Sequence, residues 1–143
     1  MKILVNLNRF QSCDQKNGID QNMYEMKNLI KLEEVAMFGF SIVLFSLTDF
    51  AWWWFPLLIL TPDIGMLGYF AGTKVGAWTY NLFHHKAVAL LVLCLGWYAG
   101  NAWMELAGII LFGHSSMDRI IGYGLKFTDS FKNTHLEWRT SKY

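Results

Sequence analysis

The stretch from Val35 to Met117 carries almost no charge, and this constrains the fold more than any other feature of the chain. Formal charges occur there only at Asp49, Asp63, Lys74, Lys86 and Glu105. A soluble domain of this length needs a charged outer face, which this stretch cannot supply. We therefore predict an all-α polytopic membrane bundle, with the lipid bilayer as its surroundings.

The composition excludes several classes of protein. Charged residues make up 16% of the 143 residues, whereas ordinary soluble domains have about 25%. A net charge of +1 gives no electrostatic basis for binding nucleic acid. The two cysteines, Cys13 and Cys94, lie in a polar leader and an apolar segment, and this indicates neither a disulfide framework nor a thiolate metal site.

The hydrophobic pattern predicts about four transmembrane helices with a short second one. Their approximate ranges are Leu32–Thr48, Trp52–Leu60, Val75–Tyr98 and Ala102–Gly122. The second is too short for a bilayer core of about 30 Å unless it continues past Pro62. His84, His85 and Lys86 interrupt the third. A competing arrangement lays residues 64–83 in the membrane interface and begins a helix at Ala87.

These segments divide the chain into three parts. Residues 1–28 are polar and lack a persistent period, so we expect a disordered and dispensable extension. Residues 29–122 form the transmembrane domain, and residues 123–143 form a cytosolic tail. The lysine and arginine residues flank alternate ends of the predicted helices, at Lys27, Lys31, Lys74, Lys126, Lys132, Arg139 and Lys142. This bias predicts that both termini lie in the cytosol.

Four polar side chains share the cytosolic half of the predicted bundle: Asp63, His84, His114 and Asp118. His84 and His114 have matching depths of roughly 12 to 14 Å, and Asp118 follows His114 by one helical turn. Imidazole and carboxylate are ligands that suit a divalent metal such as zinc. We therefore hypothesise a metal site of these four residues. His135, and Glu34 at the foot of the first helix, are the candidate catalytic acid–base residues.

Other interpretations of the same cluster stay open. Asp118 has two nearby basic residues, Arg119 and Lys126, with which it would form a structural salt bridge. Alternatively, the cluster is an ion or proton relay, or a small-molecule pocket. A haem between His84 and His114 fits their equal depth but leaves the carboxylates unexplained.

Glycines recur at intervals of three or four residues at Gly65, Gly68, Gly72 and Gly76. Such a ridge allows two helices to approach closely. It is a candidate surface for a homo-oligomer, although close packing within one chain is the simpler interpretation.

Several short motifs follow one another along the chain, among them Pro62-Asp63, the segment from Tyr80 to His84, and the segment from His114 to Arg119. In this order they resemble the pattern of the domain-of-unknown-function 4260 family. The residues that match that pattern are Asp63, Asn81, His84, His114, Asp118, Arg119, Lys126, Thr134 and His135. The resemblance covers residues 29–136. It implies a small integral membrane protein of the bacterial cytoplasmic membrane, and it implies no reaction.

Two functions are compatible with the sequence. The first is a metal-dependent membrane hydrolase that acts on a lipid or its headgroup, with the metal activating a water molecule. The second is a non-enzymatic membrane protein that uses the cluster as a relay, a pocket or a structural network.

We predict that reporter domains fused to either terminus lie in the cytosol, because lysine and arginine flank the cytosolic ends of the helices. Reporter enzymes that are active on only one side of the membrane measure this, with a fusion in the loop around Asn101 as the control. A carboxyl-terminal reporter on the outer side would contradict four spans.

Overall fold

The computed structural model describes the backbone of residues 2–136 and the side chains of residues 21–136. In chain order the helices are α1 (Lys2–Ser46), α2 (Trp54–Leu58), a 3₁₀ helix (Thr61–Ala71), α3 (Thr73–His84), α4 (Lys86–Ala99) and α5 (Ala102–Ile121). The all-helical class is thus confirmed for the described part of the chain. The chain divides into two compact units, Met1–Glu33 and Glu34–Tyr143, and all the candidate site residues belong to the second.

The first helix is longer than the sequence predicts. Disorder is expected over residues 1–28, whereas α1 begins at Lys2. The chain has no proline before Pro56, and extending an existing helix costs much less free energy than nucleating a new one. The last seven residues of the predicted tail, 137–143, lie outside the described residues.

Proline changes the type of helix beside the site. Pro62 has no N–H to donate to the Leu58 carbonyl, and the Thr61 hydroxyl donates to that carbonyl instead, at 2.7 Å. Past this point the backbone follows a 3₁₀ path, in which the Asp63 N–H donates to the Leu60 carbonyl at 3.3 Å. The short second helix is therefore α2, and its continuation past Pro62 is the 3₁₀ helix.

The 3₁₀ helix and α3 form an antiparallel hairpin around Gly72, whose φ of 115° favours glycine. Gly68 lies against Thr79, and Gly76 lies against the ring of Tyr69. The Thr79 hydroxyl also donates to the Gly65 carbonyl at 2.7 Å. Gly65, Gly68 and Gly76 thus pack inside one chain, and the homo-oligomer through this ridge stays a prediction.

The predicted third helix is two helices. The chain bends by 50° between α3 and α4, where His85 has extended backbone angles of φ −89° and ψ 112°. This is the position at which His84, His85 and Lys86 interrupt the apolar pattern. His84 is the last residue of α3, so its side chain lies at the bend.

Helices α4 and α5 form a second tight hairpin. Gly100 has a left-handed backbone with φ 62°, and the Asn101 side chain caps α5 by accepting from the N–H groups of Trp103 and Met104. A side chain added at Gly108 would lie 2.5 Å from the backbone nitrogen of Leu93. The observed α5 agrees with the predicted range within one residue.

Many large apolar side chains are exposed, and several ionisable side chains are buried. Large apolar residues are highly exposed, among them Phe70 at 93% and Trp97 at 78%. Glu34, His84, His114 and Lys126 are instead buried. By length and composition, one helical stretch of the described chain, Trp54–Ala71, can cross a membrane. Helices α3 and α4 would form a second crossing if the bent pair is counted as one span. The four-span arrangement is therefore not confirmed.

The segment after α5 folds back onto α3. The Asn81 side chain accepts from the Lys126 N–H at 2.8 Å and donates to the Lys126 carbonyl at 2.9 Å. An isolated antiparallel bridge joins Lys126 to Thr134. This segment is thereby held beside the helix that carries His84.

We predict that Gly108→Ala destabilises the protein by about 1–3 kcal/mol, because the added methyl group overlaps the α4 backbone. The control is Gly39→Ala in α1, where a side chain would meet nothing within 4 Å. Thermal unfolding in detergent compares the two variants. Equal stabilities would contradict the close approach of α4 and α5.

Candidate metal centre

The structure brings together all four residues of the hypothesised metal site. Asp63 lies in the first turn of the 3₁₀ helix, His84 ends α3, and His114 and Asp118 lie one turn apart on α5. One nitrogen or carboxylate oxygen from each residue lies within 4.8 Å of those from the other three. The group is therefore compact enough to hold one metal ion.

Backbone carbonyls fix the orientation of both imidazole rings. The Nδ1 atom of His84 lies 2.8 Å from the Tyr80 carbonyl, and the Nδ1 atom of His114 lies 2.6 Å from the Ile59 carbonyl. A carbonyl oxygen only accepts, so each Nδ1 carries the hydrogen, and Nε2 of the neutral ring keeps its lone pair. Metal-binding histidines are commonly held in this way.

The two Nε2 atoms face each other at 2.9 Å. Two lone pairs at this distance repel each other, and the nearby carboxylates of Asp63 and Asp118 add negative charge. A cation among these atoms would remove the repulsion. That cation is either a metal ion or a proton shared by the two rings.

The distances from the two histidine nitrogens to the carboxylate oxygens are close to those of a tetrahedral site, with Asp118 facing His84 through Oδ2 and His114 through Oδ1. The Nε2 atom of His84 lies 3.6 Å from Asp63 Oδ1 and 3.3 Å from Asp118 Oδ2. The Nε2 atom of His114 lies 3.4 Å from Asp63 Oδ1 and 3.7 Å from Asp118 Oδ1. Ligands about 2.0–2.2 Å from a tetrahedral ion are roughly 3.3–3.6 Å apart. The distance of 2.9 Å between the two nitrogens is shorter than this.

Burial differs among the four candidate ligands. The side chains of His114, His84 and Asp118 are 0%, 3% and 13% exposed, whereas that of Asp63 is 39% exposed. Three ligands therefore form the closed inner side of the group, and Asp63 forms its open side.

Tyr80 contacts two of the candidate ligands, His84 and Asp118. Its hydroxyl donates to Asp118 Oδ2 at 2.7 Å. Its ring stacks on the His84 imidazole with centroids 3.7 Å apart, and its carbonyl accepts from His84 Nδ1. The sequence places Tyr80 four residues before His84, on the same helical face, but its role depends on Asp118 of another helix and so could not be inferred from that spacing.

Arg119 has a partner other than Asp118. Its Nη1 atom lies 3.5 Å from Glu34 Oε1, and the ammonium group of Lys86 pairs with the other oxygen of the same carboxylate. Glu34 is thus a buried bridge between α1, α4 and α5. The alternative in which Asp118 pairs with Arg119 does not match this arrangement, because the guanidinium group points to Glu34.

The Lys126 ammonium group lies near two aromatic rings. It is 4.9 Å from the centre of that ring and 3.9 Å from the centre of the Phe131 ring, and it donates to the Phe131 carbonyl at 3.0 Å. Cation–π contacts of this kind stabilise a buried ammonium group. Lys126 therefore anchors the segment after α5 over the residue that supports the site.

The two catalytic candidates lie outside the group of four in the described chain. Glu34 is paired with Lys86 and Arg119. His135 accepts the Leu125 N–H through Nδ1 at 2.8 Å, in the segment after α5. Their catalytic role stays a prediction.

The family model described as "Domain of unknown function (DUF4260)" matches residues 27–138. The chain belongs to the DUF4260 family. No curated protein and no solved structure matches it significantly.

The DUF4260 match confirms the family suspected from the motifs. It includes Asp63, His84, His114 and Asp118, and it leaves out the first 26 residues. Because the family's own description names no function, the chemistry of this DUF4260 protein must be inferred from its site.

We predict that Tyr80→Phe weakens zinc binding by about 10- to 100-fold, because the variant removes the hydroxyl that orients Asp118 but keeps the ring that stacks on His84. A competition titration with a chelator in detergent measures the affinity. Tyr98→Phe, at a residue that is 91% exposed, is the matched control. Equal affinities for wild type and Tyr80→Phe would contradict the supporting role.

Proposed function

We propose that this DUF4260 protein binds one divalent metal ion, with zinc fitting best, between Asp63, His84, His114 and Asp118. The observation that carries the proposal is the 2.9 Å approach of two imidazole nitrogens whose other ring nitrogens face carbonyl oxygens. Such a pair needs a cation between its lone pairs, and two carboxylate groups complete a ligand set that zinc accepts.

Charge balance favours a divalent ion over a proton. Two carboxylates and two neutral imidazoles together carry a charge of about −2, which a divalent ion neutralises and a single proton does not. Neutrality matters because uncompensated charge is costly in a buried site of low dielectric constant.

We propose a hydrolytic role for this ion. His84, His114 and Asp118 are the buried ligands, and two histidines with one carboxylate resemble the three-ligand sets of catalytic zinc sites. When bound, the ion would act as a Lewis acid that polarises an ester and activates water. Asp63, on the open side, would be the fourth ligand in the absence of water and would accept the proton of the water that takes its place.

We propose further that the site lies within the bacterial cytoplasmic membrane, in a four-span bundle with both termini in the cytosol. The exposed apolar side chains support this, since a water-soluble surface does not expose so many of them. The helix breaks at Pro62 and His85 also support it. Irregular backbone occurs at membrane depth where it is buried in protein or lines a cavity, and such breaks carry binding sites in other membrane proteins.

The substrate in this proposal is a lipid or headgroup ester. A membrane-embedded site receives substrates from the bilayer, and the lysine bias places the cluster in the cytosolic half. His84, His114 and Asp118 hold the ion, Tyr80 positions Asp118, and Asp63 handles the proton. We assign this proton transfer to Asp63 rather than to His135 or Glu34, because Asp63 belongs to the group itself.

The test is the metal content of the detergent-purified protein after loading with zinc and desalting. We expect one zinc ion per chain in wild type and none in His114→Ala, because His114 supplies a buried ligand. The matched control is His85→Ala, which removes an exposed imidazole at the bend and should keep the ion. Wild-type protein that retains no zinc, or other divalent metal, would refute the proposal.

A second candidate function is a proton relay. The distance of 2.9 Å between the two Nε2 atoms is that of a direct hydrogen bond, which a protonated pair of imidazoles would form. The same distance disfavours haem, since iron and its macrocycle would have to lie between the two nitrogens. A protein without metal whose His84→Ala variant loses proton flux into vesicles would favour the relay.

A further inference from the structure

An apolar groove lies beside the candidate metal centre. Its volume is about 460 Å³, which falls within the range of roughly 300–1,000 Å³ found for small-molecule sites. The side chains that define it include Trp54, Leu58, Pro62, Phe83, Ala107 and Leu111. It thus lies between α2, the 3₁₀ helix, the end of α3 and the middle of α5.

The chemistry of the groove excludes a charged occupant. Among the described residues that line it, none carries a formal charge. The hydroxyl of Thr61, which also lines it, already donates to the Leu58 carbonyl at 2.7 Å. A polar ligand would lose its hydrogen bonds to water without gaining partners here, whereas a hydrocarbon chain would lose none.

The groove opens onto the apolar outer surface of the protein. Ile64 and Trp103 line it and are each 61% exposed. Leu57 and Leu60 nearby in sequence are each 60% exposed. A lipid chain in a surrounding bilayer would therefore reach the groove without crossing water.

Three of the groove's walls belong to the segments that carry the metal ligands. Pro62 and Ile64 flank Asp63, Phe83 precedes His84, and Ile110 lies one helical turn before His114. A chain that lies in the groove would thus have its end beside Asp63, the most exposed ligand.

We infer that the groove holds one acyl chain of an ester lipid and presents the ester group to the metal centre. This inference rests on the proposed function, since it names the substrate class of the same site. Hydrolysis at this position would add water across the ester bond, releasing the carboxylic acid with its acyl chain and leaving the hydroxyl on the rest of the lipid. Because the side chains that line the groove are almost all apolar, the groove would select an acyl chain by its length and shape.

The test uses zinc-loaded protein in phosphatidylcholine vesicles that contain a fraction of phosphatidylcholine with a photoreactive diazirine in one acyl chain. After illumination, mass spectrometry maps the labelled residues. Leu106 and Ile110 line the groove and are only 2% and 3% exposed. We expect both to be labelled in wild type, because a lipid inside the groove reaches them and bulk lipid does not.

Filling the groove should remove this labelling. Ala107→Trp places an indole in it, and labelling of Leu106 and Ile110 should be lost while the zinc content stays unchanged. Ala99→Trp, which adds the same bulk at the exposed end of α4, should retain the labelling. Leu58→Trp fills the groove from the opposite wall and replaces Ala107→Trp if that variant does not fold.

Two results would overturn the inference. The first is wild-type protein in which Leu106 and Ile110 are not labelled, and the second is labelling that persists in both filled variants. Labelling without bound zinc would instead refute the metal site, and with it the role of the lipid as substrate. Bound zinc without labelling would refute the acyl groove alone.

Discussion

Two imidazole rings point their unprotonated nitrogens at each other, and backbone carbonyls from two different helices hold them there. The His84 ring is held by its own helix through the Tyr80 carbonyl, and the His114 ring by the Ile59 carbonyl near the end of α2. Neither ring can turn its lone pair away without losing a buried hydrogen bond. The fixed lone pairs therefore favour the binding of a cation. The proposed roles of Asp63, Asp118 and Tyr80 all presuppose that cation.

The breaks in the helices make this arrangement possible. Pro62 ends the α-helical pattern of α2 beside Ile59, whose carbonyl accepts from His114. The bend at His85 directs α4 away from α3 by 50°, so that His84 lies at the end of a helix beside α5. In a continuous pair of straight helices, Ile59 and His84 would lie inside regular turns instead of at helix ends. Irregular backbone is thus what opens a polar site within an apolar bundle.

Charge is segregated into two neighbouring groups. Glu34 binds Lys86 and Arg119, while Asp118 is bonded to Tyr80 and faces His84. Lys86 and Arg119 are close in sequence to His84 and Asp118, but both pair with the carboxylate of Glu34. Because Arg119 is occupied by Glu34, the carboxylate of Asp118 remains for the imidazoles. A buried ion pair tied to three helices also fixes the relative positions of α1, α4 and α5 within the second unit.

The sequence by itself determined the apolar character, the all-helical class, the family, the range of α5 and the interruption at His84, since these depend on local composition and spacing. It also pointed to the four candidate ligands, because ionisable residues are costly in an apolar segment. Only the tertiary structure decided that the 3₁₀ helix and α3 use the glycine ridge, that Arg119 turns to Glu34, and that Tyr80 reaches Asp118. Those outcomes depend on contacts between residues far apart in the chain, and the direction of a side chain at a helix break cannot be read from a periodic pattern.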